Sequence, residues 1–266
     1  VPEWSASGQE ETLRAASRQN IHRNRWNWHS DLVRVRGAVS HTADGTGGGM
    51  EQLYFDEHIG LQEEFGTRKL ADLLDTKWAH RELTPDEQAF IGSRDMFFLA
   101  TVDKEGRPTV SYKGGPVGLV KVIDDKTLAF PGFDGNGMFY SMGNIVGQSH
   151  VGLLFIDFET PHRFRVQGRA TFERESPLLP EWVGAKYVVR IDIDRVWVNC
   201  PRYVHRYKRV EQSKYVPVAE KETPLASWKR MDIVQEAIPP CERAQAEKEG
   251  IMSLPEYEEK VANGDG

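Results

Sequence analysis

The chain is poor in the features that mark several protein classes. Only two cysteines, Cys200 and Cys241, occur in 266 residues, and their spacing fits neither a disulfide scaffold nor a zinc site. No metal site is therefore expected. No apolar run approaches the ~18 residues needed to span a bilayer; the longest, Val151–Ile156, has the length of a buried strand. A basic excess is missing too. The 34 Lys and Arg face 40 Asp and Glu, a net charge of −6, which argues against nucleic acid as the main partner. The start, Val1-Pro2-Glu3-Trp4, has neither the basic residues nor the apolar stretch of a secretory signal, and a reducing cytoplasm is the expected compartment. With 39% hydrophobic residues the chain can still bury a core, so disorder throughout is excluded.

Charge is unevenly spread. Residues 14–36 carry six arginines (14, 18, 23, 25, 34 and 36) against one acid, Asp31, with Trp26 and Trp28 interleaved. Such an arm can bind phosphates or bases by charge and stacking, or wrap a partner subunit with Trp as anchor and Arg as rim. The subunit reading fits better because the rest of the chain lacks a basic face. Residues 242–266 carry seven acids against three bases and read as a solvated helix or a frayed end. Asp44-Gly45-Thr46-Gly47-Gly48-Gly49 is a loop; no strand precedes it and no Lys-Ser/Thr follows, so it is no P-loop.

Periodicity supplies the organisation. Leu61, Phe65, Leu70, Leu73, Leu74 and Trp78 fall near one face and predict an amphipathic helix over 61–78. Thr84-Pro85-Asp86-Glu87 is a helix start, with Thr84 as N-cap and Glu87 closing a capping box, and that helix should end near Gly92. Beyond it the texture becomes β. Strands are predicted at Met96–Val102, Pro108–Lys113, Leu119–Ile123, Thr127–Phe130, Val151–Phe158, Arg163–Phe172 and Val188–Val198, the last with a bulge near Asp194-Arg195 where alternation slips. A short helix is expected over Met138–Ile145. Hairpin-length connections describe an antiparallel barrel rather than a Rossmann sheet, in a mainly β chain with helical arms. The expected division is an N-terminal extension over 1–84, a barrel over 85–210 and a C-terminal arm over 211–266, with a helix from Leu225 to Ala237 broken by Pro239-Pro240.

Chemistry concentrates between Thr109 and Asn144. Lys113-Gly114-Gly115-Pro116 sets a cation beside bare backbone, and Pro131-Gly132-Phe133-Asp134-Gly135-Asn136-Gly137 runs into the short helix. Small residues expose N–H groups, and a helix N-terminus favours an anion. Lys113, Asn136 and Ser141 could thus form a phosphate site, or the two stretches could be ordinary glycine turns. Asp157, Glu159 and His162 resemble a metal cluster only loosely and border a hairpin turn, where polar residues are expected.

The run Phe98-Leu99-Ala100-Thr101-Val102-Asp103, then Gly106-Arg107-Pro108, Thr127-Leu128-Ala129-Phe130-Pro131, Gly143-Asn144 and Val151-Gly152-Leu153-Leu154-Phe155 resembles the pyridoxamine 5′-phosphate oxidase-like flavoproteins. It is most similar to the branch described as predicted FMN-binding, with Asp134-Gly135-Asn136-Gly137 in the phosphate loop. The resemblance covers roughly residues 85–207. It implies an FMN-binding split β-barrel that forms a homodimer, with FMN at the subunit interface. Carried over by position, Ser111, Tyr112 and Lys113 on a strand, then Phe130, Pro131, Asn136 and Ser141, would bind the cofactor.

Two departures qualify the resemblance. The oxidase has a basic pair on the phosphate strand and a Ser-Arg-Lys type loop; Asp134 and Asn136 stand there here, and Asp134 would repel a phosphate unless it points away. The oxidase's C-terminal Arg-Leu-His-Asp-Arg motif is replaced by Trp197-Val198-Asn199-Cys200-Pro201-Arg202-Tyr203-Val204-His205-Arg206, so vitamin B6 oxidation is not supported. In that segment Arg202 could hold an anionic substrate and His205 could donate a proton, against the plainer reading of a polar strand end. The expected function is an FMN-dependent oxidoreductase acting on a small flat or anionic molecule. The alternatives are a haem-binding or haem-degrading barrel with His205 or His162 as axial ligand, a deazaflavin protein, and a flavin carrier without turnover.

Overall fold

The computed structural model describes residues 53–265; the arginine- and tryptophan-bearing arm at 14–36 and the loop at 44–49 lie outside the described residues. In chain order the elements are α1 (Asp56–Glu64), α2 (Arg68–Trp78), β1 (Ala79–His80), α3 (Pro85–Gly92), β2 (Met96–Val102), β3 (Pro108–Gly114), β4 (Lys121–Asp124) and β5 (Thr127–Gly132). There follow α4 (Tyr140–Gly147), β6 (His150–Asp157), β7 (His162–Glu173), β8 (Tyr187–Asn199), α5 (Pro240–Glu249) and α6 (Leu254–Ala262). The strands form one sheet in the order β3-β2-β6-β7-β8-β5-β4, with β1 added on β8. Every pairing is antiparallel. The order has two free ends, at β3 and β4, so the barrel is not closed by hydrogen bonds: this is a split antiparallel β-barrel.

Strict alternation builds β7. His162, Phe164, Val166, Gly168 and Ala170 are buried while Arg165, Gln167 and Arg169 take the other face. The bulge falls where alternation slips in β8: Gln167 pairs with Arg195 and Gly168 with Ile193, leaving Asp194 as the extra residue. Parity changes there, with Val189, Ile191 and Ile193 buried before it and Val196 after it. Inside the barrel Phe97 meets Phe130 edge-on at 5.1 Å between ring centres and Phe155 at 5.5 Å, packing geometry that aromatic pairs favour.

The α3 start is built as its sequence implies. Thr84 Oγ1 accepts from Glu87 N, and Glu87 Oε2 accepts from Thr84 N at 2.9 Å. The same carboxylate oxygen lies 2.9 Å from His80 Nε2, so β1 is tied to the helix through a cap that is itself buried. The hydrogen bond to Glu87, working against burial, holds the His80 pKa above its ordinary value. Because the folded value exceeds the unfolded one, near 6.5, the pair contributes fully below about pH 6.5 and fades as pH rises through the folded value. We expect His80→Gln to cost about 1 kcal/mol or less at pH 6 and less still at pH 9, read from urea midpoints at both pH values. A cost that grew with pH would contradict the assignment.

Two expectations outside the barrel are corrected. The helix over 61–78 is two helices, because Gly66 takes φ +66° and turns the chain between α1 and α2. Their apolar residues Leu61, Phe65, Leu70, Leu73 and Leu74 are exposed rather than packed on the barrel. The helix over 225–237 is replaced by two 3₁₀ turns, Ser227–Arg230 and Asp232–Val234. Pro239-Pro240 does not merely end structure: Pro240 opens α5, where its missing N–H costs nothing. Of the two readings of the acidic tail the helical one holds, as two helices, and Leu225, Ile238 and Ala246 form a small core of their own.

Candidate functional site

Register in the first hairpin decides which side chains can act together. Phe97 pairs with Lys113, Leu99 with Ser111 and Thr101 with Thr109, so Ser111 and Lys113 share the face of β2 that carries the buried Phe97, Leu99 and Thr101. Tyr112 pairs with Phe98 on the opposite face, is exposed, and meets that ring edge-on at 6.1 Å. It therefore stands away from Ser111 and Lys113, as the two-residue period of a strand requires.

Helix α4 comes down on the same face. Ser141, Met142, Asn144 and Ile145 are its buried residues, the spacing of one helical stripe. Asn144 Nδ2 donates to Thr101 Oγ1 at 3.1 Å in the interior, and the Ser141 and Ser111 hydroxyls lie 3.2 Å apart. A strand residue and a first-turn helix residue distant in sequence are thereby brought together. The helix start has no side-chain cap: its N-cap is Phe139, held at φ +49°. The N–H groups of the first turn, which have no intrahelical carbonyl to bond, remain available to an anion.

Lys113 is half-buried on the strand face that holds Ser111, and among the described residues no carboxylate pairs with it. Burial alone pushes its pKa down. A lysine in this condition gains from an anion that restores what water no longer supplies. Ser111, Ser141, Lys113 and the α4 amides together have the donor chemistry of a phosphate cradle. Of the sequence-derived cofactor residues, Ser111 and Ser141 meet, and Lys113 lies on the same strand face as Ser111.

The others are placed differently. The Phe130 side chain is fully buried in the barrel and Pro131 is buried beside it, so β5 faces a ligand only through its backbone. Asn136 closes its own turn, Oδ1 accepting from Met138 N at 3.0 Å. Asp134 instead accepts from Lys229 Nζ at 2.8 Å, a partner from the C-terminal arm. Gly132 lets this region close: a Cβ there would lie 1.9 Å from the Tyr187 ring, which also packs on Phe172 at 4.7 Å and reaches Phe139 at 6.2 Å.

Arg202 and His205 are exposed, in the segment that leaves β8, and neither side chain has a hydrogen bond or ion pair among the described residues. Tyr203 between them sits at φ +71° and is almost fully exposed. Their segment runs back along the β6–β7 turn: Arg206 Nε donates to Glu159 O at 3.1 Å, Tyr207 N to Phe158 O at 3.1 Å, and Arg209 pairs with Asp95. Asp95 immediately precedes β2, and its carbonyl accepts from Gly115 N, so the segment ends beside the strand end that carries Lys113. Sequence reasoning missed both Arg209 and Lys229, and neither lies in a motif that would have singled it out.

The loose acid–histidine cluster resolves into structure. Asp157 Oδ1 accepts from the Glu159 and Thr160 amides at 2.9 Å each, and its other oxygen pairs with Arg94 at 2.9 Å. His162 is buried edge-on to Phe90 at 4.7 Å, and burial pushes its pKa down. No group of three or more potential metal ligands occurs among the described residues, and no helix there is long and apolar enough to cross a membrane.

An open antiparallel barrel of this strand order defines a split-barrel protein. Residues 83–211 form a domain that matches the family model described as "Pyridoxamine 5'-phosphate oxidase". No curated protein matches the chain. Among solved structures, HupZ of Group A Streptococcus is 19% identical over 47% of this chain and 100% of its own, with a TM-score of 0.37. An FMN-binding protein of Syntrophomonas wolfei is 14% identical over 53% of this chain and 95% of its own, with a TM-score of 0.33. HutZ, a haem storage protein of Vibrio cholerae, is 20% identical over 42% of this chain and 90% of its own, with a TM-score of 0.32.

Proposed function

We propose that this chain is an FMN-dependent oxidoreductase that works as a homodimer on a small flat or anionic molecule. The observation that carries the reading is the meeting of Ser111 and Ser141 at an uncapped helix start, on the strand face that also carries the half-buried Lys113, which has no ion-pair partner among the described residues. These residues have the chemistry a phosphate monoester needs: two hydroxyl donors, a cation on the same strand face and the amides of a helix start. The rest of the cofactor would lie along β3 and the loop after β5. When bound, the flavin supplies the redox chemistry, and the chain supplies anchoring and orientation.

The chain's own part is then definable. Lys113 and the two serines hold the phosphate and so fix where the ring lies. Arg202 and His205, unencumbered on their exposed segment, are the residues that would meet an anionic substrate and hold or deliver a proton to it. Exposed apolar residues on β3, α4 and the segment after β8, including Val110, Tyr112, Phe139, Val146, Tyr207 and Val210, supply the surface on which a second copy would close that pocket.

The haem alternative has less to stand on in this chain. His162 is packed against Phe90 inside the barrel, and His205 stands on an exposed segment. An absorbance spectrum of protein purified without added cofactor, with mass spectrometry of what heat releases, tests the reading. We expect flavin bands and the mass of FMN. A Soret band would replace flavin with haem, and a colourless protein that also ignores added FMN would overturn the proposal.

A further inference from the structure

Lys229 is the least expected residue of the C-terminal arm: an ammonium only 4% exposed, far in sequence from the barrel. It donates to Asp134 Oδ2 at 2.8 Å and to Glu242 Oε1 at 2.7 Å. Asp134 lies in the loop between β5 and α4, the loop that delivers the helix start to the cradle. Glu242 is in the first turn of α5. The two anions are not equally placed: the Asp134 side chain is 63% exposed and that of Glu242 only 18%. Glu242 and the arm thus hold the lysine, and the lysine reaches out to the loop.

This arrangement answers an electrostatic difficulty that the sequence poses. A carboxylate in a loop that serves a phosphate should weaken phosphate binding, because like charges at short range repel. We propose that Lys229 is a positioning residue that masks the Asp134 charge and draws it off the anion cradle, so that the C-terminal arm sets the affinity of the site for a phosphorylated ligand. The inference rests on the flavin reading and deepens it: the arm makes the site favour FMN over its unphosphorylated counterpart, riboflavin. Burial pulls the Lys229 pKa down, but the bonds to the two carboxylates outweigh it and the net direction is up, so the mask remains charged at neutral pH.

A double-mutant cycle on the full chain, titrated separately with FMN and riboflavin, tests the role. In the wild-type background Asp134→Asn should change FMN affinity less than threefold, because the charge it removes is already masked. Lys229→Met should lower FMN affinity at least tenfold and riboflavin affinity less than twofold. Adding Asp134→Asn to it should restore FMN affinity to within about threefold of wild type. Lys229→Gln, which keeps a donor for Glu242, replaces the methionine variant should that variant not fold, and Lys229→Arg should retain wild-type discrimination. Equal losses for FMN and riboflavin, failure of Asp134→Asn to rescue, or a tenfold gain in FMN affinity from Asp134→Asn alone would each overturn the masking role. A wild-type chain that binds neither flavin removes the flavin reading and this role with it, whereas one that binds FMN while the cycle shows no coupling overturns the role alone.

Discussion

Lys113→Met should weaken FMN binding by about 1.5–3 kcal/mol, roughly 10- to 150-fold, while leaving the cofactor-free protein no less stable. The first half follows from the loss of a charge-assisted contact to phosphate. The second follows from the direction in which burial moves the lysine. Its folded pKa lies below the unfolded one, so at neutral pH the protonated amine is less comfortable in the folded chain than in the unfolded one. Methionine keeps the apolar stem and removes the charge. Fluorescence titration with FMN and a urea melt of the same cofactor-free sample check both halves. Loss of FMN affinity together with a large loss of stability would mean that Lys113 serves the fold and not the ligand.

Gly168→Ala should destabilise the chain by about 3 kcal/mol, a fall of roughly 6–12 °C in Tm. Gly168 sits beside the β8 bulge, where the strands come unusually close: an added Cβ would lie 2.3 Å from the Asp192 carbonyl oxygen and 3.0 Å from Ile191 Cγ2. The first of these atoms is backbone in the middle of a sheet and cannot rotate out of the way. Gly152→Ala is the matching control. Its new methyl would meet only Ala100 Cβ at 3.7 Å, an ordinary contact, and stability should change by about 0.5 kcal/mol or less. Thermal melts of the two variants beside wild type suffice; similar shifts in both would remove the bulge from the account.

The contrast between those two glycines shows what could be read in advance. Alternation at Phe164, Val166, Gly168 and Ala170 defines the buried face of β7 without any structure, and the slip at Asp194-Arg195 marks the bulge because parity is a local property. The Thr84–Glu87 box is local as well. What could not be read depends on contacts between distant segments. No periodicity says that Gly66 will divide one amphipathic stripe into two helices, or that Leu61 and Leu73 will remain exposed. The stretch after Leu225 has helix-forming residues, yet it takes 3₁₀ turns that carry Lys229 to a loop on the barrel.

The site divides in the same way. Lys113 and Ser141 were legible from residue type beside glycine and beside a helix start. The two-residue period that places Ser111 with Lys113 also sets Tyr112 on the other face, an inference available from the sequence but masked by carrying three consecutive residues over together. Phe130 reads as a site residue by position and as core by its apolar neighbours, and the structure shows its side chain in the core. The Ser111–Ser141 meeting, the Asp134–Lys229 pair and the approach of Arg209 to Asp95 are tertiary facts.

The pairing scheme also bears on how the chain comes to be folded as it is made. β8 is hydrogen-bonded to β7, β5 and β1, and its Tyr187–Asn199 segment is the last of the sheet to be synthesised. Until it emerges, β5 and β7 each keep a row of unpaired backbone groups, and β5 is a strand whose every residue is buried in the finished sheet. A nascent chain stalled before residue 187 therefore exposes two adhesive edges at once. Chains that end between β7 and β8 are therefore expected to aggregate rather than form a smaller folded domain, which sedimentation of such truncated chains would check.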